Sequence, residues 1–337
     1  MSLRQEMPCP VSTLPLPTLS SVPTTTPSTD PFPPDRYNQT LTLPDGRTLA
    51  WAEAGDLQSD YPVFFFHGFP GSRLEARGVE DIGCLHKIRF ICPDRPGYGL
   101  SAFQQNRRIA DWPADVQHLA RHMELKRYAV LGGSGGGPFA LACARFIPKE
   151  TLSGVGLLCT AAPWEKAVLR HVSWYRRLLG WAAAYCPSLT TRVFNGLLGL
   201  IKWFAASSTG KKLLDNIAVK AAGAAGKDIP QVETTPAAVA ERRERLLSVL
   251  LEPFAQGSQA LVQEAYLLSH PYGFRMEEVE RKVDTWHGTK DTNSPIEMVR
   301  YMKEQLPDCD LHELEGETHF TIVKHLEEVV TELVRHR

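Results

Sequence analysis

A serine set among glycines is the feature of this 337-residue sequence with the clearest chemical potential. The run Gly132-Gly133-Ser134-Gly135-Gly136-Gly137 fits the pattern G-x-S-x-G. Glycines on both sides remove every neighbouring Cβ, so a sharp turn can lift the serine hydroxyl clear of the backbone. The N–H of Gly135, at the start of a following helix, then points to where negative charge develops on an attacked carbonyl. Serine is a weak nucleophile at neutral pH and needs a base, which in turn needs an orienting acid.

Both partners can be found downstream. The segment DLHELEGETHF reads as a strand followed by a loop, and His319 lies in that loop. His312 lies within the strand and His325 in the last helix, so His319 is the expected base. The acid is expected at Asp291, just past the short strand VDTWHG, in a polar loop closed by Pro295. Asp284 sits at the start of the same strand, at the wrong edge. A second N–H for the oxyanion should come from Phe69 in FFFHGFPGS, with Gly68 allowing the backbone to turn. His67, in the same motif, is expected to be a structural hydrogen-bonding group below that loop rather than the base.

These residues require a scaffold, and the apolar pattern describes one. RYAVLGG is a strand running into the serine turn, and the helix after it carries Pro138 in its first turn, where a missing N–H costs little. TLTLPDGRTLAWAEAG reads as a hairpin about Asp45-Gly46. PVFFFHG, RFICPD and TLSGVGLLC read as further buried strands, alternating with helices. Alternation of this kind gives a parallel sheet covered by helices on both faces. It stops after about Pro163. Residues 164–272 are helical in pattern, with helices expected over 165–184, 189–206, 210–222, 236–252 and 256–269, and strands resume at KVDTWHGTKD. The expected organisation is a Pro/Ser/Thr-rich disordered tail (1–35), an α/β core (36–163 and 273–337) and an inserted helical cap (164–272).

Read together, HGFPGS, DRPGYGLS from Asp94 to Ser101, GGSGGG, WHGTKDTNSP and GETHF resemble the α/β-hydrolase fold superfamily in its cap-bearing branch. The resemblance covers about residues 38–335. It implies an eight-stranded, mostly parallel sheet with a lid inserted after strand six. Carried over by position, it implies Ser134 as nucleophile, Asp291 as acid, His319 as base, and Phe69 with Gly135 as oxyanion donors. HGFP is also similar to epoxide hydrolases and dehalogenases, which use an aspartate nucleophile; Ser134 argues against both. Gly133 departs from the pattern, replacing the His or Trp of many relatives.

The expected activity is cleavage of a carboxylic ester or related acyl bond of a small apolar molecule, with no metal or organic cofactor. Carbon–carbon hydrolysis or acyl transfer on the same residues is one alternative, and a non-catalytic small-molecule receptor is another. The 37 Lys and Arg balance 38 Asp and Glu with no basic stripe, which speaks against nucleic acid. The seven scattered cysteines form no C-x-x-C pair, so neither a disulfide framework nor a zinc site is expected. With no secretory signal pattern at the start, the expected location is cytoplasmic. Trp164, Trp174, Trp181, Trp203 and Phe204 give the cap an aromatic character, read as packing between cap and sheet in preference to an apolar acyl or polycyclic pocket or membrane contact. Oligomeric state is left open.

Overall fold

The computed structural model describes residues 34–224 and 235–335; the expected tail lies outside them apart from its last two residues. A single eight-stranded sheet organises the chain, in the order β1-β2-β4-β3-β5-β6-β7-β8. After the short helix α1 (Pro34–Tyr37), β1 (Gln39–Thr42) and β2 (Thr48–Gly55) form the expected antiparallel hairpin. Its turn holds Gly46 at φ +85°, where a side chain would be strained. β2 pairs antiparallel with β4 (Arg89–Pro93). The rest of the sheet is parallel: β3 (Pro62–Phe66), β5 (Tyr128–Gly133), β6 (Leu152–Leu158), β7 (Val283–Gly288) and β8 (Cys309–Leu314).

Helices cover both faces, which is why the central strands are apolar on both sides. All of β3 and all of β5 are buried. One face packs against α3 (Trp112–His122), α4 (Gly137–Phe146) and α10 (Ile296–Gln305), with Phe64, Trp112, Phe139 and Val299 in the core. The other packs against α2 (Glu80–His86) and α11 (Leu326–Arg335). α11 buries Leu326, Val329, Val330 and Leu333, the spacing of one apolar helical face.

Between β6 and β7 the chain leaves the sheet, as expected, for a run of helices: α5 (Trp174–Tyr185), α6 (Pro187–Ala206), α7 (Ser208–Ala224), α8 (Pro236–Leu251) and α9 (Gln259–Ser269). Two expectations need correction. The first helix begins at Trp174, not near 165; a short 3-10 turn over Leu169–His171 precedes it. Arg177 donates to the carbonyls of Leu169 and Val172, which holds that turn off the helix axis. The second concerns the aromatic residues. Trp174, Trp181, Trp203 and Phe204 are exposed rather than packed between insert and sheet; only Trp164 packs against the core. The cause lies on the inner side. The residues that α5 and α6 bury are small (Gly180, Ala183, Thr190, Ala205), which lets helices approach closely and leaves the large side chains outside. Among the described residues no helix is long and apolar enough to cross a membrane.

Candidate active site

Ser134 sits where β5 ends and α4 begins, with a single 3-10 turn between them. Its φ is +50°, a left-handed conformation that costs a non-glycine residue about 1–2 kcal/mol. The glycines are needed for close approach. A Cβ on Gly137 would strike the Thr160 side chain, and one on Gly135 would lie 2.5 Å from the Cβ of Phe69. Gly133 differs: a Cβ there would meet the Phe65 ring at an ordinary 3.5 Å.

The structure brings the sequence-predicted partners to this turn. Ser134 Oγ lies 2.9 Å from His319 Nε2, and His319 Nδ1 lies 2.7 Å from Asp291 Oδ2. With Asp291 ionised, this network fixes the tautomer: Nδ1–H donates to the carboxylate, and Nε2 accepts from the serine hydroxyl. His319 stands in the loop after β8 and Asp291 in the loop after β7, so serine, acid and base all project from the carboxyl ends of parallel strands. The side chain of Asp291 is fully buried. Its Oδ1 accepts from the N–H groups of Asn293 and Ser294, both at 2.8 Å. Burial pushes this carboxyl up, but the hydrogen bond and charge of His319, with the Ser294 N–H and His287, outweigh it and hold the group below the usual carboxylate range.

Phe69 and Gly135 are also neighbours; a Cβ on Gly135 would be 3.1 Å from Phe69 N. Asp284, His312 and His325 are not part of this cluster. Asp284 pairs with Lys282, His312 stacks on Trp286, and His325 lies beside Glu328. His67 is buried with a structural hydrogen-bond pattern: Nδ1 faces Gly68 O at 2.9 Å, and Nε2 accepts from the N–H of Arg95 at 3.2 Å. Burial, followed by the charge of Arg95, pushes its pKa well below the ordinary histidine value. A neutral ring of fixed tautomer suits a strut.

Several residues at the site were not singled out from sequence. Arg95, fully buried, donates to the carbonyls of His67 (2.5 Å) and Gly68 (2.9 Å), the two residues before Phe69. Its charge is met by Glu264 on α9 through two bonds of 2.9 and 2.5 Å, and Arg107 adds a third at 2.6 Å. Burial drives the Glu264 carboxyl up, but the two guanidinium groups prevail and hold it low. Glu75 accepts from Gly68 N at 3.1 Å, and burial pushes it up to about 7. His287, wholly buried, hydrogen-bonds the Ser294 carbonyl at 2.7 Å and so steadies the loop that carries Asp291. The lone Glu264 in the apolar run QALVQEAYLLS was a usable signal, since a buried acid demands a cation.

A cavity of about 240 Å³ opens over Ser134 and His319. Phe69, Trp164, Tyr175, Leu179 and Leu268 give it mostly apolar walls, and α5 and α9 supply the insert's share. Arg176 is the cation on its wall. It lies over the Trp164 ring, 5.7 Å from the centroid, and among the described residues no carboxylate pairs with it. Burial lowers its pKa. Among the described residues no group of three or more His, Cys, Asp or Glu side chains is placed to hold a metal ion.

An eight-stranded, mostly parallel sheet with a serine at the β5–α4 turn and helices inserted after β6 defines the architecture of an α/β-hydrolase. Residues 61–194 match the family described as alpha/beta hydrolase fold. A proline iminopeptidase of Arabidopsis thaliana is 30% identical over 125 residues, covering 35% of this chain and 32% of that protein. The chain thus spans about a third of the length of the curated relatives it matches. Among solved structures, an alpha/beta hydrolase fold protein from Nakamurella multipartita aligns with a TM-score of 0.56 at 18% identity, covering 89% of this chain and 99% of that one. The esterase EaEST from Exiguobacterium antarcticum aligns at 0.55 and 18%, covering 88% and 98%. At such identities the likeness is one of fold.

Proposed function

We propose that this protein is a serine hydrolase that cleaves a carboxylic ester or related acyl bond of a small, apolar molecule. The observation that carries this reading is the continuous hydrogen-bond chain Ser134–His319–Asp291, at 2.9 and 2.7 Å. In this mechanism Ser134 Oγ attacks the acyl carbonyl while His319 Nε2 takes its proton. Asp291 orients the ring and stabilises the imidazolium. The N–H groups of Phe69 and Gly135 stabilise the oxyanion, each donor contributing about 3–4 kcal/mol. His319 then protonates the departing alkoxide, and a water deprotonated by His319 attacks the acyl-enzyme and releases the acid.

The curated relatives raise peptidase action as a second reading. A substrate with a protonated amine beside the scissile bond calls for an anion in the cavity. Among the described residues the walls carry Arg176 and no aspartate or glutamate, which favours an ester or an acid-bearing acyl group. The cavity is also smaller than the roughly 300–1,000 Å³ of sites for drug-sized ligands.

A fluorophosphonate probe is expected to label the wild type and not Ser134→Ala, with ester turnover lost in parallel. Aryl esters, a prolyl amide and a vinylogous diketone assayed side by side then separate ester, peptide and carbon–carbon cleavage. Absence of labelling, or the prolyl amide as the best substrate, overturns the proposal.

A further inference from the structure

We infer that the outer face of α5 and α6 is a docking surface for an anionic lipid bilayer. The face consists of two apolar stripes left uncovered by the rest of the described chain. On α5, Trp174, Leu178, Trp181 and Tyr185 recur at the spacing of one helical side, and each is more than half exposed. On α6, Leu189, Val193, Leu197, Leu200, Ile201 and Phe204 recur in the same way, all exposed. Trp203 adds a further indole, 69% exposed. A Cβ on Gly196 or Gly199 would meet nothing within 4 Å, so this side of α6 is open. The opposite side is committed: Phe194 packs against the cluster of Ala183, Leu261, Val262 and Ala265. Contiguous apolar surface on this scale marks an interaction site rather than scatter.

The charge pattern selects the occupant. Residues 166–214 hold eight Lys and Arg and no Asp or Glu, in a chain whose net charge is -1. Arg170, Arg192, Lys202, Lys211 and Lys212 are exposed. A second copy of the chain is a poor fit, because a two-fold interface sets each patch against itself and brings cations to cations. Anionic headgroups supply the missing charge. The indole and phenol rings suit the boundary between headgroups and acyl chains, and basic side chains around an apolar stripe are the pattern of a helix lying in that plane. α5 also lines the cavity through Tyr175, Arg176, Leu179 and Gly180, so docking brings one wall of the site to the lipid boundary. The inference does not depend on Ser134 being the nucleophile.

The test is flotation of the full chain with vesicles of phosphatidylcholine alone or mixed with phosphatidylserine. Binding is expected only with phosphatidylserine, and raised salt should reverse it. Leu200→Glu with Trp203→Glu is expected to lower binding by at least roughly tenfold. Lys202→Gln with Lys211→Gln and Lys212→Gln keeps the apolar stripe and is expected to lower it on the order of a hundredfold. Both variants should turn over a soluble ester as the wild type does. Should the first fail to fold, the second still decides. The inference is overturned by a lack of binding to either vesicle, by equal binding to both, or by a dimer in sedimentation that the Leu200→Glu, Trp203→Glu variant dissociates.

Discussion

Replacing Glu264 by glutamine keeps its volume and removes one charge from the most enclosed ionic cluster among the described residues. Arg95 and Glu264 have fully buried side chains, and Arg107 is only 2% exposed. Without the carboxylate, two guanidinium groups face each other in a medium that cannot hydrate them. Breaking a buried pair in this way costs about 3–5 kcal/mol. At about 2–4 °C per kcal/mol for large domains, Tm should fall by roughly 6–20 °C. A second effect follows from what Arg95 touches. Its remaining donors hold the His67 and Gly68 carbonyls, so a displaced Arg95 moves the N–H of Phe69. Loss of one oxyanion donor costs about 10²–10³ in kcat, which bounds the catalytic effect. Calorimetry and ester kinetics below the lowered Tm measure both, with KM expected to change little. Adding Arg107→Gln should recover part of the stability, since one fewer cation is then stranded. A Glu264→Gln protein that melts within about 2 °C of wild type at unchanged kcat would refute the reasoning.

Three further outcomes are expected. Ser134→Gly should be more stable than Ser134→Ala by about 1 kcal/mol, because only glycine is at ease at φ +50°; equal melting temperatures would mean the turn relaxes. Gly133→Ala should keep most activity, whereas Gly135→Ala, pressing on Phe69, should lower kcat by roughly 10²–10³; ester kinetics on the two variants distinguish them. Glu75, pushed up to about 7 from 4.5, contributes stability that is full below about 4.5 and is lost as pH rises through about 7, because in that range the folded state binds the extra proton. Urea denaturation of Glu75→Gln across this range should show a flatter decline than wild type; an identical slope removes Glu75 as the cause.

The sheet was legible in the sequence because its strands are short apolar runs bounded by turn residues, and the Asp45-Gly46 hairpin is visible for the same reason. The residues now clustered at the β5–α4 turn were legible because strand ends fix where they stand. Ser134, Asp291 and His319 each follow a recognisable strand, and in a parallel sheet all such positions lie along one edge. Pairings across long separations were not legible. Arg95 and Glu264 are 169 residues apart, and neither neighbourhood shows the other. The exposure of Trp174, Trp181, Trp203 and Phe204 was not legible either, because periodicity reveals that a helix has an apolar side without revealing what covers it. The small residues Gly180, Ala183 and Ala205 on the inner side were the clue to which side packs.

The Arg95–Glu264–Arg107 cluster also bears on how exchangeable the two parts of the molecule are. The loop that carries Phe69 follows β3, yet the carboxylate that neutralises its anchoring arginine comes from α9. Glu252, just after α8, likewise bonds Arg73, which also pairs with Asp94. Grafting another protein's helices onto this sheet, as a chimera built for new specificity would do, strands Arg95 and Arg107 unless the graft brings its own acid to the place of Glu264, whereas Arg73 keeps Asp94. Substitutions along α5 can therefore reshape the cavity by small steps, whereas α9 must be inherited together with the sheet.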